Sequence, residues 1–456
     1  MSTLEKDVLQ LWQNEIVSNS CFNIVQNSIS NNFIKETIIN RNLAQQLGHI
    51  YSNVVEPRPK SVTNQKSSGR CWIFAALNMM RLPFMKHYDL TEFEFSQSYV
   101  FFYYKLESAN YFLNSIVKLK QTGSQFGDVD RVMMHLLETP TQDGGQWDMF
   151  VSVVKKYGIV PKLAFQESKH SSNSSEMNSL LNYKLRESAC RIWNDFNNAS
   201  SIIKNSMKEI YKILLICLGT PPVTFDWEYS IKNKITSHIN LTPNEFYDNF
   251  VKQWCDLDNY ISIIHDPRSF NNYNTSYTVE FLGAVVTADD SNNSVIKYLN
   301  LSIERIKELA KQSILKNFAV WYGCDVGKNF CKSLSVLDND INKLNGIFDV
   351  DFTKVTKEQK LIWNISKMGH AMLITGVHIN KVDNKENIVR WEVENSWGKG
   401  QGESAGGYLL MTDEWFDDYA YQVVINKSLL TVDELNNYNQ DPLVLPPWDA
   451  FGSLAH

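Results

Sequence analysis

The sequence predicts an α+β fold, in which helices and strands occupy different parts of the chain. Up to about residue 312, apolar residues mostly recur at helical spacing, as in the stretch 303–315. After residue 313, short runs rich in β-branched and aromatic residues are bounded by Gly, Asn or Lys, which is typical of strands. Because the two patterns are segregated rather than alternating, α+β is favoured over a parallel sheet built from βαβ units.

These patterns divide the chain into consecutive segments. An amphipathic helix and a Pro-containing strap form an N-terminal extension, and a Gly-punctuated loop then leads into an apolar helix that starts at Cys71. A Ser/Asn-rich loop opens a mostly helical insertion, which is followed by the strand-rich region and a C-terminal arm. The predicted boundaries are 1–60 for the extension, 61–165 for the helical lobe, 166–312 for the insertion, 313–430 for the sheet lobe and 431–456 for the arm.

Composition limits the class of protein. With 456 residues, of which 43% are hydrophobic and 12% aromatic, the chain can bury a large core and has the length of about two to three domains. The formal net charge is −6, which gives no global attraction to nucleic acid or to an anionic membrane. We therefore expect neither as a partner.

The cysteines and the N-terminus favour a cytoplasmic protein. The seven cysteines are odd in number, widely scattered and contain no CxxC pair, so neither a disulfide framework nor a zinc site is predicted. The first residues lack the basic start and apolar run of a secretory signal, and no apolar run approaches the roughly 18 residues of a membrane span.

Cys71 is the strongest candidate nucleophile. It follows a Ser-Ser-Gly-Arg loop and opens the apolar helix, where the positive end of the helix dipole favours a thiolate and predicts a lowered pKa. The backbone N–H of Cys71 can donate to an oxyanion. Gln65, six residues earlier, can fold back to supply a second donor.

Two later motifs offer partners for this cysteine. His370 lies in a Gly-His-Ala sequence that opens a predicted strand, and an imidazole can take and return a proton near neutral pH. Asn395 lies in a Glu-Asn-Ser-Trp-Gly sequence after the next strand, where its amide oxygen can accept the other ring N–H of the histidine. Trp397 can shield that hydrogen bond from water.

A double glycine, Gly144-Gly145, follows Asp143 in a predicted loop. Residues without a side chain let another backbone approach closely, so these glycines are candidates for contact with a substrate backbone.

Taken together, Gln-x5-Cys-Trp, Gly-His-Ala and Asn-Ser-Trp-Gly, in that order, resemble the papain superfamily. The separation of 299 residues between Cys71 and His370 is about twice that of papain-like lysosomal enzymes. The sequences around Cys71, the double glycine, Tyr322 and His370 look like those of the bleomycin hydrolase / aminopeptidase C family. Ser68 stands where papain has a disulfide cysteine, which fits a reducing compartment.

This resemblance implies a two-lobed papain-like core with the cleft between the lobes, and a cysteine aminopeptidase that uses Cys71, His370, Asn395 and Gln65. It implies no cofactor or metal, peptide substrates, activity on bleomycin-like amides and homocysteine thiolactone, and a homohexamer. It also implies that the C-terminal arm lies in the cleft and gates it, with Ala455 and His456 facing the substrate amine.

Several alternatives stay open at this point. His378, which shares the strand parity of His370, is a second candidate base but lacks the Gly-His-Ala context. Trp397 can be a core residue, the double glycine a turn and the C-terminus a frayed end. A catalytically silent binding protein on the same fold is the rival function, and acyl transfer to an acceptor other than water uses the same residues.

Overall fold

Helices dominate the first half of the chain and strands the second. The computed structural model describes residues 3–123, 130–231, 234–286, 296–382, 385–399 and 406–454. The helices of these residues are α1 (Lys6–Val17), α2 (Phe22–Asn31), α3 (Ile34–Thr37), α4 (Arg41–Ala44), α5 (Cys71–His87), α6 (Gln97–Gln121), α7 (Arg131–Glu138), α8 (Trp147–Tyr157), α9 (Lys169–Ser172), α10 (Ser175–Asn194), α11 (Ala199–Leu218), α12 (Pro243–Phe246), α13 (Ile303–Leu315), α14 (Leu344–Phe348), α15 (Lys357–Ile362), α16 (Asp413–Tyr419) and α17 (Val432–Asn439).

The described strands form one large sheet and one separate hairpin. They are β1 (Asn53–Val54), β2 (Phe225–Ile231), β3 (Lys234–Leu241), β4 (Tyr260–Ile264), β5 (Thr275–Val279), β6 (Tyr298–Asn300), β7 (Val320–Cys324), β8 (Phe330–Cys331), β9 (Val336–Leu337), β10 (His370–Val382), β11 (Lys385–Glu394), β12 (Tyr408–Thr412), β13 (Ala420–Asn426) and β14 (Leu443–Leu445). The large sheet has the order β14-β5-β6-β4-β13-β7-β10-β11-β12-β9-β8, with β1 added on β10.

Helix α5 forms the centre of the helical lobe. Nearly all of its side chains are buried, because it is apolar around most of its circumference. Helix α6 beside it begins after Ser96, whose hydroxyl accepts the N–H of Tyr99 at 3.1 Å and so satisfies one free donor of the first turn.

Strand β10 lies in the middle of the sheet, between β7 and β11. In the antiparallel register, His370 lies opposite Cys324 of β7, and Leu373 lies opposite Glu394 at the end of β11. Since antiparallel neighbours run in opposite directions, the beginning of β10 and the end of β11 meet at one edge of the sheet. The register alone therefore brings His370 near Asn395.

The structure differs from the predicted, mostly helical insertion in the second half of residues 166–312. Helices α10 and α11 fill the first half, but β2 and β3 form a hairpin, and β4, β5 and β6 join the large sheet. The runs that form β4 and β5 are only five residues long. Periodicity does not distinguish a buried helix from a buried strand in so short a run.

The C-terminal arm turns inward after β14, which pairs in parallel with β5. Phe451 and Leu454 are completely buried. Among the described residues, no helix has the length and apolar character needed to span a bilayer.

Candidate active site

Cys71 is the first residue of α5, and its side chain is completely buried. The backbone N–H groups of Ala371 and Trp72 donate hydrogen bonds to its sulfur, which stabilises a thiolate. Because Ala371 follows His370 in β10, this contact places the sulfur at the start of the strand that carries the candidate base.

The predicted lowering of the Cys71 pKa is not what the structure gives. Burial raises the pKa of the Cys71 thiol to about 11, and this outweighs the backbone N–H groups at the helix start. Burial also lowers the pKa of His370 to about 4, against the opposing effect of its hydrogen bond to Asn395. Burial therefore favours the neutral form of both groups.

The ring of His370 is held by Asn395, with His370 Nε2 and Asn395 Oδ1 3.0 Å apart. The same Oδ1 accepts the backbone N–H of Ser396 at 2.7 Å, which identifies this atom as the amide oxygen. Because an amide oxygen can only accept, Nε2 carries the hydrogen and Nδ1 is left unprotonated in the neutral ring. That is the tautomer a base needs.

Trp397 lies beside the imidazole, with ring centroids 4.8 Å apart and planes tilted by 32°. It is half-buried and borders the hydrogen bond between His370 and Asn395. His378, the second candidate base, lies eight residues further along β10, where it is opposite Arg390 of β11 in the sheet register.

Gln65 is tied to the segment that carries Asn395. Its side-chain Oε1 accepts the hydroxyl of Ser396 at 2.6 Å, and its backbone N–H donates to the Ser396 carbonyl at 2.8 Å. One hydrogen of its amide donates to the carbonyl of Ser68 at 2.6 Å. An amide nitrogen has two hydrogens, so a second remains for a ligand.

The double glycine is contacted from both sides. The carbonyl of Leu454 occupies the space where a side chain at position 144 would begin, and a β-carbon at position 145 would lie 2.6 Å from the ring of Trp72. The arm, rather than a substrate, therefore lies against Gly144. The candidate residues Ala455 and His456 lie outside the described residues.

Asp143, which precedes the double glycine, has a role that the sequence does not indicate. Its carboxylate accepts the N–H of Gly69 at 3.0 Å and pairs with Lys105 at 2.9 Å. Its backbone carbonyl accepts the indole N–H of Trp72 at 2.8 Å. Although burial opposes the charge, Lys105 holds the pKa of Asp143 below its usual range. The loop before Cys71 is thus fixed to the glycine loop and to α6.

A second buried ion pair, also unexpected from the sequence, joins the two lobes. Arg81 of α5 binds Glu394, the residue before Asn395, and both side chains are fully buried. Breaking such a pair costs about 3–5 kcal/mol, since it leaves one charge buried and unpaired. The pair therefore fixes the helix of Cys71 relative to the strand end that presents Asn395.

An open cavity of about 1160 Å³ lies next to the site, lined by Gly69 and Met368 from the two lobes and by residues 445–450 of the arm. Within the described part of the chain, no group of three or more His, Cys, Asp or Glu side chains is placed to hold a metal ion. The arrangement provides a candidate nucleophile, Cys71, a candidate base held in one orientation, His370, and candidate N–H donors. These are the parts required for acyl transfer through a covalent intermediate.

Comparison with known proteins identifies the family of the chain and its fold. The model of the Peptidase C1-like family matches residues 3–452. Bleomycin hydrolase of Mus musculus is 41% identical over 95% of both chains, and aminopeptidase C of Listeria monocytogenes is 40% identical over 95% of this chain and 94% of its own. The crystal structure of PepW from Lactobacillus rhamnosis matches with a TM-score of 0.90 and 37% identity, covering 98% of each chain. The predicted fold class is thereby confirmed.

Proposed function

Because the chain belongs to the Peptidase C1-like family, we propose that it is a cysteine-type aminopeptidase that removes N-terminal residues from peptides through an acyl-enzyme on Cys71. The observation that carries the proposal is the hydrogen bond between His370 Nε2 and Asn395 Oδ1. It leaves Nδ1 as the free base, in a ring at the start of the strand whose next residue, Ala371, donates its backbone N–H to the Cys71 sulfur. The same residues in a silent binding protein would need no such tautomer.

The reaction begins when the Cys71 thiol gives its proton to His370 Nδ1 and the sulfur attacks the carbonyl carbon of the first peptide bond. The tetrahedral intermediate collapses as the C–N bond breaks, and His370 returns the proton to the leaving amine. Water then loses a proton to His370 and attacks the thioester. The amino acid leaves, and Cys71 regains its proton. The transfer of the proton from Cys71 to His370 stays within this pair of residues. The pair therefore acquires no net charge, which burial would disfavour.

The negative oxygen of the intermediate is stabilised by two donors. The backbone N–H of Cys71 lies at the start of α5, where helical N–H groups have no acceptor within the helix. The second amide hydrogen of Gln65 is the other donor, and its position is fixed by Ser396. Removal of one such donor costs about 10²–10³ in kcat.

The C-terminal arm acts as the gate that makes the enzyme an exopeptidase. The contact between Leu454 and Gly144 supports this role, because it brings the backbone of the arm against the glycine loop that the sequence offers for substrate contact. A carboxylate carried to this loop by the arm would pair with the α-ammonium group of the substrate. In a confined site such a pair is far stronger than on an open surface.

The protein assembles as a homohexamer in the cytoplasm. Helix α1 supports self-association, since Leu11 and Ile16 on it are 65% and 55% exposed although they are large and apolar. By similarity to the bleomycin hydrolases, bleomycin-like amides are further substrates. We extend the proposal to homocysteine thiolactone, whose acyl carbon the same thiol can attack. No metal or organic cofactor takes part.

Hydrolysis of a panel of aminoacyl-coumarins tests the proposed function. Activity should disappear after treatment with a thiol alkylator and in the Cys71→Ser variant, while N-acetylated versions of the same substrates should resist the wild-type enzyme. Turnover that survives both alkylation and the substitution would show that Cys71 is not the nucleophile. Equal cleavage of acetylated substrates would show that the enzyme is not an aminopeptidase.

A further inference from the structure

Arg268 lies between two buried carboxylates, those of Asp266 and Asp449. Its Nη1 and Nη2 donate to the two oxygens of Asp449 at 3.0 and 2.9 Å, and its Nε donates to Asp266 Oδ1 at 2.9 Å. The side chains of the three residues are at most 8% exposed. This bidentate geometry is the strong, directional form of an arginine–carboxylate pair.

Asp266 is itself held in place. Asn271 donates to its Oδ2 at 2.7 Å, and the Asp266 backbone N–H donates to the side chain of Asn300 at 2.9 Å. Because Asp266 occupies the Nε edge of the guanidinium, Arg268 presents a fixed fork to Asp449. The guanidinium of Arg268 is therefore oriented by Asp266 even without Asp449.

Asp449 belongs to the C-terminal arm and shapes its last turn. Its carboxylate also accepts the N–H of Phe451 at 3.0 Å, and its carbonyl accepts the N–H of Gly452 at 3.0 Å. One carboxylate thus binds both Arg268 and the backbone that follows it. Where Arg268 holds Asp449, the direction of the next residues is set as well.

Leu454 follows Asp449 by only five positions, and an extended chain of that length spans at most about 17 Å. Two further hydrogen bonds fix the path between them. The hydroxyl of Tyr298 donates to the carbonyl of Phe451 at 3.0 Å, and Gln146 donates to the carbonyl of Gly452 at 2.6 Å. A shift at Asp449 is therefore transmitted to the end that lies against Gly144.

We infer that Arg268 is a positioning residue that sets where Leu454 lies against Gly144, and so decides between free and blocked N-termini. This inference rests on the gating role of the arm given under the proposed function. Arg268 does not contact the substrate. It acts through Asp449. In a chain that lacks residues 453–456, substitution of Arg268 should therefore not change the preference for free N-termini.

The test compares Arg268→Gln and Asp449→Asn with the wild type on a peptide–coumarin with a free amine and on its N-acetylated form. We expect the ratio of acetylated to free-amine cleavage to rise about tenfold or more, since misplacement of a positioning group by about 1 Å can cost a hundredfold. Asp449→Asn serves where Arg268→Gln folds poorly, because it leaves Arg268 paired with Asp266.

Arg305→Gln is the matched control: Arg305 makes a similar bidentate pair with Glu434, at 2.7 and 2.9 Å, but does not touch residues 449–454. The Arg305→Gln variant should have the same ratio of acetylated to free-amine cleavage as the wild type.

Each substitution is then repeated in a chain that lacks residues 453–456. If Arg268 acts through the arm, the truncated chain and the truncated Arg268→Gln chain should have the same ratio, because residues that act through one element are not additive. A ratio unchanged by Arg268→Gln and Asp449→Asn in the full chain, or changed equally with and without residues 453–456, would overturn the inference but leave the gate intact. A truncation that itself leaves the ratio unchanged would remove the gate, and the inference with it.

Discussion

The carbonyl oxygen of Leu454 occupies the position that a β-carbon of residue 144 would take. This contact joins the last described residues of the chain to the loop that borders the nucleophile. It explains why glycine is required there even when no substrate is bound: the backbone of the arm leaves no room for a side chain. The following predictions start from this contact and from the groups around Cys71.

Gly144→Ala should displace the arm, because the added methyl group and the Leu454 carbonyl cannot occupy the same space. We expect free-amine substrates to be cleaved about a hundredfold more slowly, since the reacting group is no longer held in place. Coumarin assays on full-length and truncated chains measure the loss of cleavage. The substitution should also lower the thermal stability, and truncation after residue 452 should restore it. Gly346→Ala is the control, because a β-carbon at Gly346 meets no atom within 4 Å. If both alanine variants behave alike, the contact with Leu454 has no functional role.

His370→Ala should lower kcat by a factor on the order of 10³ or more, close to the effect of Cys71→Ala, because the two residues act as a unit. Asn395→Ala should cost less, since the amide orients the ring but moves no proton. His378→Ala is the matched control and should retain near-normal turnover. The assignment of the base would be wrong if His378→Ala inactivated the enzyme and His370→Ala did not.

Gln65→Ala should reduce kcat by about 10²–10³ with little change in KM, because an oxyanion donor acts mainly in the transition state. Ser396→Ala removes the hydroxyl that holds the amide of Gln65 at 2.6 Å and should give a smaller loss of the same kind. Steady-state kinetics on one aminoacyl-coumarin separate the two constants. A rise in KM at constant kcat would instead assign Gln65 to ground-state binding.

Stability should fall on the acid side because of His370. Burial lowers the pKa of this residue to about 4, whereas an unfolded imidazole titrates near 6.5. Between these pH values the unfolded state binds a proton that the folded state does not. The contribution of the neutral, buried imidazole to the free energy of unfolding is therefore complete above about pH 6.5 and is lost as the pH falls.

The non-titrating His370→Gln variant should therefore lose about 2 kcal/mol less free energy of unfolding than the wild type between about pH 7 and about pH 4.5. Denaturant unfolding at the two pH values measures the difference. Parallel losses in the two proteins would mean that His370 is not excluded from protonation in the folded state.

Light scattering should report a mass near that of six chains of 52.6 kDa. Trp12→Glu on α1, where the indole is 46% exposed, should shift the protein toward smaller species, because a charge placed in an apolar contact has to be desolvated. Leu163→Glu alters an 85% exposed residue outside the N-terminal extension and is the control. A monomeric wild type at micromolar concentration would contradict the hexamer.

The positions of the candidate catalytic residues could be predicted because each lies in a short contiguous motif. Cys71 opens an apolar helix, His370 opens a strand, and Asn395 follows the next strand, so secondary structure and residue type were sufficient to select them. The antiparallel register of β10 and β11 then brings His370 and Asn395 together. The family and the fold class follow from these motifs and are confirmed.

Only the tertiary structure decided the rest, and in each case the physical reason is that the interaction is not local in sequence. Arg268 and Asp449 are 181 residues apart, and no periodicity relates them. The pKa of Cys71 was predicted from the helix start, a local effect, but burial by distant segments is the larger effect and reverses its direction. The sequence by itself selected the candidate reacting groups. The way the chain packs around them decided their charge, their orientation and the position of the arm beside them.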